Sequence, residues 1–235
     1  LDVVVYLWRD TDPRRVFLPA HVCTLARAFG RTLTLPHRLV CITDEPAGAF
    51  TDGVVVLPTP PGAARLARHR NPEGSRFPSS YRRLWTFSPD AVGVLAEWVL
   101  GLDIDAVPLA DLADLLDPPR ADFVGWRPLA RWGNAARVGG GMYLLRTGTH
   151  PDVYTDFDGA PAIAQARRAG FRGSDQAWLS FKLGRTCQVW NGTSGLYSIR
   201  DLADGRRPLP ANARLVQFNG PTKPWDSPLP WVKEH

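Results

Sequence analysis

One stretch constrains this chain more than any other. Trp98-Val99-Leu100-Gly101-Leu102 runs straight into Asp103-Ile104-Asp105. Trp98 to Leu102 is apolar without alternation, the pattern of a strand covered on both faces. Asp103 and Asp105 are two apart, so extended backbone would put both on one side and turn Ile104 into the core. Two acids on one side repel each other and serve a fold poorly. They suit a hard divalent cation, which takes oxygen ligands and can leave positions open to phosphate oxygens. In an α/β sheet, ligands bind beyond the carboxyl ends of the strands, where this pair falls. An Asp-X-Asp triplet also arises by chance, so the rest of the chain must carry the reading.

The order of elements predicts an α/β fold. Val3 to Leu7 reads as a buried strand, Phe17 to Phe29 as a helix ended by Gly30, and Arg38 to Ile42 and Val54 to Leu57 as further strands. Strand, helix, strand, strand favours an open, mostly parallel sheet of nucleotide-binding topology. Further strands are predicted over Asp122 to Trp126, from Gly139 to Leu145, and over Leu215 to Phe218. Short helices are predicted over Leu109 to Leu116, from His150 to Gly170 with a break at Gly159-Ala160-Pro161, and after Ser174. Cys187 to Trp190 and Leu196 to Ile199 read as a hairpin around Asn191 to Gly195. The 235 residues suffice for one large domain with its own core. We expect a single domain over residues 1–235: a nucleotide-binding half at 1–105, a second half at 106–226, and a proline-rich tail at 227–235 without a core role.

No apolar run approaches the roughly 20 residues a membrane span needs, and Leu1 to Trp8 reads as a strand, not a signal peptide. Cys23, Cys41 and Cys187 are odd in number and widely spaced, which predicts packed, reduced thiols in a cytoplasmic protein. No Cys/His cluster suggests zinc.

Several other segments carry candidate chemistry. The loops after the first two strands, with Tyr6, Trp8 and Asp44, either line a base and ribose pocket or hold core aromatics and a turn acid. Net charge is +5, mostly from arginine, which permits an anionic partner but also serves solubility. The basic stretch holding Arg65, Arg68, Arg70 and Arg76 is either a solvated face or a phosphate groove, and Arg131 and Arg137 could extend it. Tyr81 to Phe87 reads as a helical turn with Leu84 and Phe87 inward and Arg83 within reach of a phosphate near the acidic pair. Gly139-Gly140-Gly141 offers no packing value, so close approach to bare backbone is expected there. A dinucleotide fingerprint is excluded, because these glycines precede a strand. Ser174 and Asp175 stand where helix caps stand.

Taken in order, five blocks resemble nucleotide-sugar glycosyltransferases of the GT-A fold, in particular the glycogenin and bacterial galactosyltransferase group (family eight) with its bacterial and phage relatives. They are Tyr81-Arg82-Arg83-Leu84, Leu102-Asp103-Ile104-Asp105, Gly139-Gly140-Gly141-Met142, Ser174-Asp175-Gln176 and Gly220-Pro221-Thr222-Lys223-Pro224-Trp225. The resemblance implies a single-domain GT-A fold, with a small antiparallel element near the C-terminus, in a bacterial or phage-infected cytoplasm. It implies a hexosyltransferase that moves a sugar from a nucleoside-diphosphate sugar, a UDP-sugar by preference, with retention. Mn²⁺ or Mg²⁺ would be the cofactor, held by Asp103 and Asp105. Where the family has a third ligand, a His, this chain has Gln217, with Asn219 the other nearby candidate. Ile104, Gly220 and Lys223 would belong to the nucleotide and phosphate site. Gly139, Gly140, Asp175 and Gln176 would line the sugar pocket, the last two as catalytic residues. Gly139-Gly140 replaces Asn-Ser of the family pattern, which leaves the donor open.

The acceptor is a glycan or small molecule, or a hydroxymethylated DNA base reached through the arginines. The alternative of another class is a non-catalytic sugar- or nucleic-acid-binding module of the same fold. A nucleotidylyltransferase would need a glycine-rich loop after the first strand, where Arg9-Asp10-Thr11-Asp12 stands, and an Asp-X-Asp phosphatase would need its pair there too.

Overall fold

The computed structural model describes residues 1–8, 17–51, 53–71, 79–117, 119–128, 137–220 and 222–233. The first strand, β1 (Asp2–Leu7), is followed by helix α1 (Pro19–Thr32), β2 (Arg38–Thr43), β3 (Val54–Pro58) and α2 (Pro61–Leu66). A 3-10 turn over Tyr81–Phe87 leads to β4 (Trp98–Leu102), β5 (Ala106–Pro108) and α3 (Ala113–Leu116). Then come β6 (Phe123–Trp126), β7 (Gly139–Arg146), α4 (Asp152–Thr155), α5 (Ala160–Arg168) and α6 (Asp175–Leu183). The chain closes with β8 (Gln188–Trp190), β9 (Leu196–Ser198), β10 (Leu215–Gln217) and α7 (Pro230–Lys233).

Seven strands form the main sheet in the order β3-β2-β1-β4-β7-β6-β8. β3, β2, β1 and β4 are mutually parallel, β7 is antiparallel to both β4 and β6, and β8 runs parallel to β6. The expected α/β architecture with a mostly parallel sheet is therefore present. β4 occupies the middle, as its continuous apolar run requires, and Val99, Leu100 and Leu102 are fully buried. One layer beneath the sheet contains Val22, Leu25 and Phe29 of α1 packed with Val3, Val5 and Leu7. The opposite layer packs Leu84 and Phe87 against Tyr143, Leu145, Trp178 and Leu179. A smaller sheet of β5, β10 and β9 stands near the C-terminus, antiparallel between β5 and β10 and parallel between β10 and β9.

Two expectations are corrected here. β8 and β9 are not a hairpin: β8 joins the main sheet beside β6 and β9 joins the small sheet beside β10, both in parallel. The turn around Asn191 is closed by its own side chain, which accepts from the Thr193 N–H at 2.8 Å, and it carries the chain from one sheet to the other. The tail also has a packing role. Leu229, Trp231 and Val232 lie against Val107, Tyr197, Val216 and Phe218, and the Trp231 ring is 5.9 Å from that of Phe218. The break before α5 falls at Gly159, where φ is +86° and the His69 ring lies against the Cα, so backbone and space both demand glycine. Cys23, Cys41 and Cys187 are all free thiols. Among the described residues no helix is long and apolar enough to cross a membrane.

Candidate active site

Charge gathers where the two sheets meet. β4 ends at Leu102 opposite Met142 of the antiparallel β7, so the three glycines that begin β7 lie beside the acidic pair. The Asp103 N–H donates to the Gly141 carbonyl at 2.9 Å. From the small sheet, Gln217 of β10 pairs with Ala106 and arrives at the same place.

The backbone over the acidic pair is not extended. The Ala106 N–H donates back to the Asp103 carbonyl at 3.3 Å, which makes residues 103–105 a tight turn between β4 and β5. The chain changes sheets at this point, and a turn is what that change requires. Alternation along a strand is thus not what brings the two carboxylates together; the turn does it. Ile104 points into the core, as expected. Asp103 remains about a third exposed, whereas Asp105 is buried. Burial raises the Asp105 carboxyl to about 6, with Lys223 pulling it down and Asp103 pushing it up.

Two protein cations meet these acids. Arg83, projected from the 3-10 turn, is buried and donates through Nε to Asp175 Oδ2 at 2.7 Å, through Nη1 to Asp103 Oδ1, and through Nη2 to the Gly140 carbonyl at 2.7 Å. Burial works against its charge, but Asp103 and Asp175 more than reverse this and raise its pKa. Burial likewise raises the Asp175 carboxyl against the pull of Arg83. Lys223 Nζ donates to Asp105 Oδ2 at 2.5 Å and to the Phe218 carbonyl at 3.3 Å. Arg83 therefore clamps two carboxylates from either side of β7, beyond the phosphate-reaching role its position in the sequence suggests.

The glycines have an internal reason. A methyl on Gly140 would lie 2.6 Å from Arg83 Nη2 and 3.2 Å from Asp175 Oδ2, and one on Gly139 would lie 2.6 Å from the Trp126 ring. A methyl on Gly141 would lie 2.8 Å from Asp103 Oδ2 and 3.4 Å from Gln217 Cδ. What approaches the bare backbone is the protein's own side chains, so the expectation that these glycines lack packing value is wrong. Gly141, which the sequence singled out only as part of the run of three, accepts through its carbonyl from both the Asp103 N–H and Gln217 Nε2.

Ser174 stands at the N-cap position of α6, but its hydroxyl does not cap the helix. It accepts from the Ser80 N–H at 2.6 Å and so ties the start of α6 to the turn that carries Arg83. Asp175 is spent on Arg83, and Gln176 beside it is half-buried, with its Nε2 close against Gly173.

Gln217 is buried, and its Nε2 donates to the Gly141 carbonyl at 2.7 Å. Its Oε1 is buried without a hydrogen-bond partner. A buried acceptor left unmet costs about 1–3 kcal/mol. Asn219 differs, because its Oδ1 accepts from the Ser198 hydroxyl at 2.6 Å. Gly220 follows, half-buried. Among the described residues no group of three or more His, Cys, Asp or Glu is placed to hold a metal ion. An amide oxygen is an available third ligand beside Asp103 and Asp105, and the partnerless Oε1 of Gln217 is one. An all-oxygen set of this kind fits Mg²⁺ or Mn²⁺.

The remaining candidates are more scattered. Tyr6 is interior to β1, its hydroxyl 2.9 Å from Thr86 Oγ1, and burial raises its pKa. Trp8 is half-buried under the Arg82 guanidinium, 4.5 Å from its ring centre, and Asp44 is exposed after β2. Arg65, Arg68 and Arg70 are exposed, with Arg65 set 5.5 Å over the Tyr154 ring. Arg70, Arg167 and Arg168 border a groove of about 540 Å³ floored by Ala160, Ile163 and Ala164. Arg137 donates to the Arg172 carbonyl at 3.1 Å. Arg76 and Arg131 lie outside the described residues.

No protein-family model matches the chain, and no curated protein matches it in sequence. Solved structures do. A galactosyltransferase, LgtC, in complex with donor and acceptor sugar analogues, superposes with a TM-score of 0.62 at 15% identity, covering 96% of this chain and 89% of that one. The glycosyltransferase GlyE of Streptococcus pneumoniae gives 0.59 at 16%, covering 95% of this chain and 55% of that one. A glycosyltransferase involved in glycosylation of the major capsid of PBCV-1 gives 0.53 at 13%, covering 93% and 92%. At such identities the shared property is the architecture alone: this chain has a fold of the GT-A type, similar to that of these glycosyltransferases.

Proposed function

We propose that the protein is a hexosyltransferase that moves a sugar from a nucleoside-diphosphate sugar, a UDP-sugar by preference, to a hydroxyl acceptor with retention. The observation that supports this most is the gathering of Asp103, Asp105, Arg83, Asp175, Gln217 and Lys223 beside the end of β4 and the start of β7 in a GT-A sheet.

Transfer breaks the bond between the anomeric carbon and the diphosphate, so negative charge grows on the departing phosphate. Asp103 and Asp105 would hold Mg²⁺ or Mn²⁺, with Gln217 or Asn219 as a third oxygen, and such a cation would supply Lewis-acid stabilisation of that charge. Lys223, 2.5 Å from Asp105, donates to the outer phosphate from the adjoining position. Losing a preorganised donor of this kind lowers transition-state stabilisation by about 2.7–4 kcal/mol. Arg83 positions Asp175, and Asp175 with Gln176 orients the sugar beside Gly139 and Gly140. Trp8 and Asp44, beyond the ends of β1 and β2, face the base and ribose, with Tyr6 and Ile104 supporting that floor. The acceptor is a glycan or small molecule. A hydroxymethylated DNA base is the second reading, favoured by the arginine-bordered groove of α5.

The test is a screen of nucleotide sugars with Mg²⁺ or Mn²⁺ for release of free nucleotide, repeated with Asp103→Asn and Asp105→Asn. We expect release by the parent protein and its near-complete loss in both variants. Unchanged rates in the variants would sink the reading. NMR of the product anomer decides retention, and duplex binding at low salt decides the second acceptor.

A further inference from the structure

We propose that Gln217 makes this a hard-cation centre: its Oε1 is a ligand of the ion held by Asp103 and Asp105, and the all-oxygen set lacks the imidazole nitrogen that would draw Zn²⁺ and Co²⁺. The inference rests on the reading above that the two aspartates hold a cation, and it decides between the two amides left open there.

The orientation of the carboxamide follows from its partner. The Gly141 carbonyl can only accept, so Gln217 must turn its NH₂ toward it, at 2.7 Å, and its oxygen away. That oxygen is buried and has no partner. It is also held in place, because β10 is paired on both sides, Gln217 with Ala106 of β5 and with Ser198 of β9. The Gln217 carbonyl accepts from the Ile199 N–H at 2.8 Å, which fixes the backbone further. The carboxamide and the Asp103 carboxylate border one point, since both lie within 3.4 Å of where a Gly141 methyl would be. Asn219 is the poorer candidate, because the Ser198 hydroxyl already donates to its oxygen at 2.6 Å.

The donor chemistry sets the choice of ion. Carboxylate and amide oxygens suit small, hard cations, whereas imidazole nitrogen and thiolate draw Zn²⁺ and Co²⁺. Gln217 adds no negative charge to a site already balanced by Arg83 on Asp103 and Lys223 on Asp105. It supplies an oxygen and leaves the charge as it was.

The experiment uses the full chain and the metal alone, read by electron paramagnetic resonance of bound Mn²⁺. Gln217→His should introduce a directly coordinated nitrogen, visible as ¹⁴N modulation in the pulsed spectrum and absent from the parent. Zn²⁺ should displace Mn²⁺ from that variant at concentrations about tenfold lower than from the parent. Gln217→Leu should weaken Mn²⁺ binding by about tenfold or more. Bound Mn²⁺ without ¹⁴N modulation in Gln217→His, or unweakened binding in Gln217→Leu, overturns the proposal. If either variant fails to fold, Gln217→Glu replaces it: tighter Mn²⁺ binding supports the proposal and unchanged binding overturns it. Failure of the underlying reading looks different. In that case the parent binds no Mn²⁺, or Asp103→Asn binds it as well as the parent does.

Discussion

Replacing Arg83 with Met probes what holds the site together. Met keeps most of the length and removes the charge, so Asp175 and Asp103 lose their shared guanidinium. Asp175 is only 3% exposed, and burial raises its pKa even with Arg83 in place. Without Arg83 it is a lone buried charge, and its way out is to take a proton. Protonating an ordinary carboxyl of pKa near 3.9 at pH 7 costs about 4 kcal/mol, which caps the loss through Asp175. Asp103 is partly exposed and regains water, so it adds little. Breaking a buried ion pair from one side typically costs about 3–5 kcal/mol, and the two limits together give about 3–4 kcal/mol at pH 7. The sign with pH follows from the raised folded-state pKa. Between the unfolded value and that raised value the folded state binds more protons, so stability falls as pH rises through the window. The deficit of Arg83→Met relative to the parent should therefore be small near pH 4 and full near pH 7.5. Urea unfolding at several pH values measures it for the parent, Arg83→Met, Asp175→Asn and the double variant. Asp175→Asn should restore about half of the loss when added to Arg83→Met, because it removes the stranded charge. A deficit below about 1 kcal/mol at pH 7.5, or one that does not change with pH, would refute the reasoning.

Three further outcomes are expected. Gly140→Ala pushes a methyl to 2.6 Å from Arg83 Nη2 and should destabilise by about 1–3 kcal/mol in thermal melts, whereas Gly30→Ala, with nothing within 4 Å, should be neutral or stabilising. Stability of the parent should fall as pH rises from about 4 to 6 through the raised Asp105 pKa, and Lys223→Met, which removes the group holding that value down, should extend the fall above pH 6; identical profiles in urea would count against the pairing. Trp225 stacks on His21 at 3.6 Å, and burial lowers the His21 pKa, so Trp225→Ala should move the His21 titration back up toward 6.5 by NMR; no movement would show that the ring does not cover it.

The strands were legible because burial writes itself locally. Val3 to Leu7, Arg38 to Ile42 and Trp98 to Leu102 are apolar runs, and each became a strand of the main sheet. Partners are another matter. Gln188 to Trp190 and Leu196 to Ser198 each read as a strand, yet nothing within either segment says which sheet it joins, and proximity in sequence suggested a hairpin that does not form. The same limit applies to Asp103 and Asp105. Their spacing suggested a pair on one side of extended backbone, but residues 103–105 form a turn because the chain leaves one sheet for the other after Leu102.

The bonds of the site span long stretches of chain, which is why local pattern could name its members but not their pairings. Arg83 reaches Asp175 across 92 positions, Gln217 reaches Gly141 across 76, and Lys223 reaches Asp105 across 118. Each depends on strand register, and register depends on the whole sheet. Gly140 and Gly141 are where these long connections cross. Arg83 passes over the one to reach Asp175, and Asp103 and Gln217 meet at the other. Any side chain at either position would hold the charged groups apart. The three glycines cost backbone entropy in the strand interior, about 0.5–1 kcal/mol each relative to Ala, and the space at Gly140 and Gly141 is what lets a buried arginine and three carboxylates share one corner of the fold.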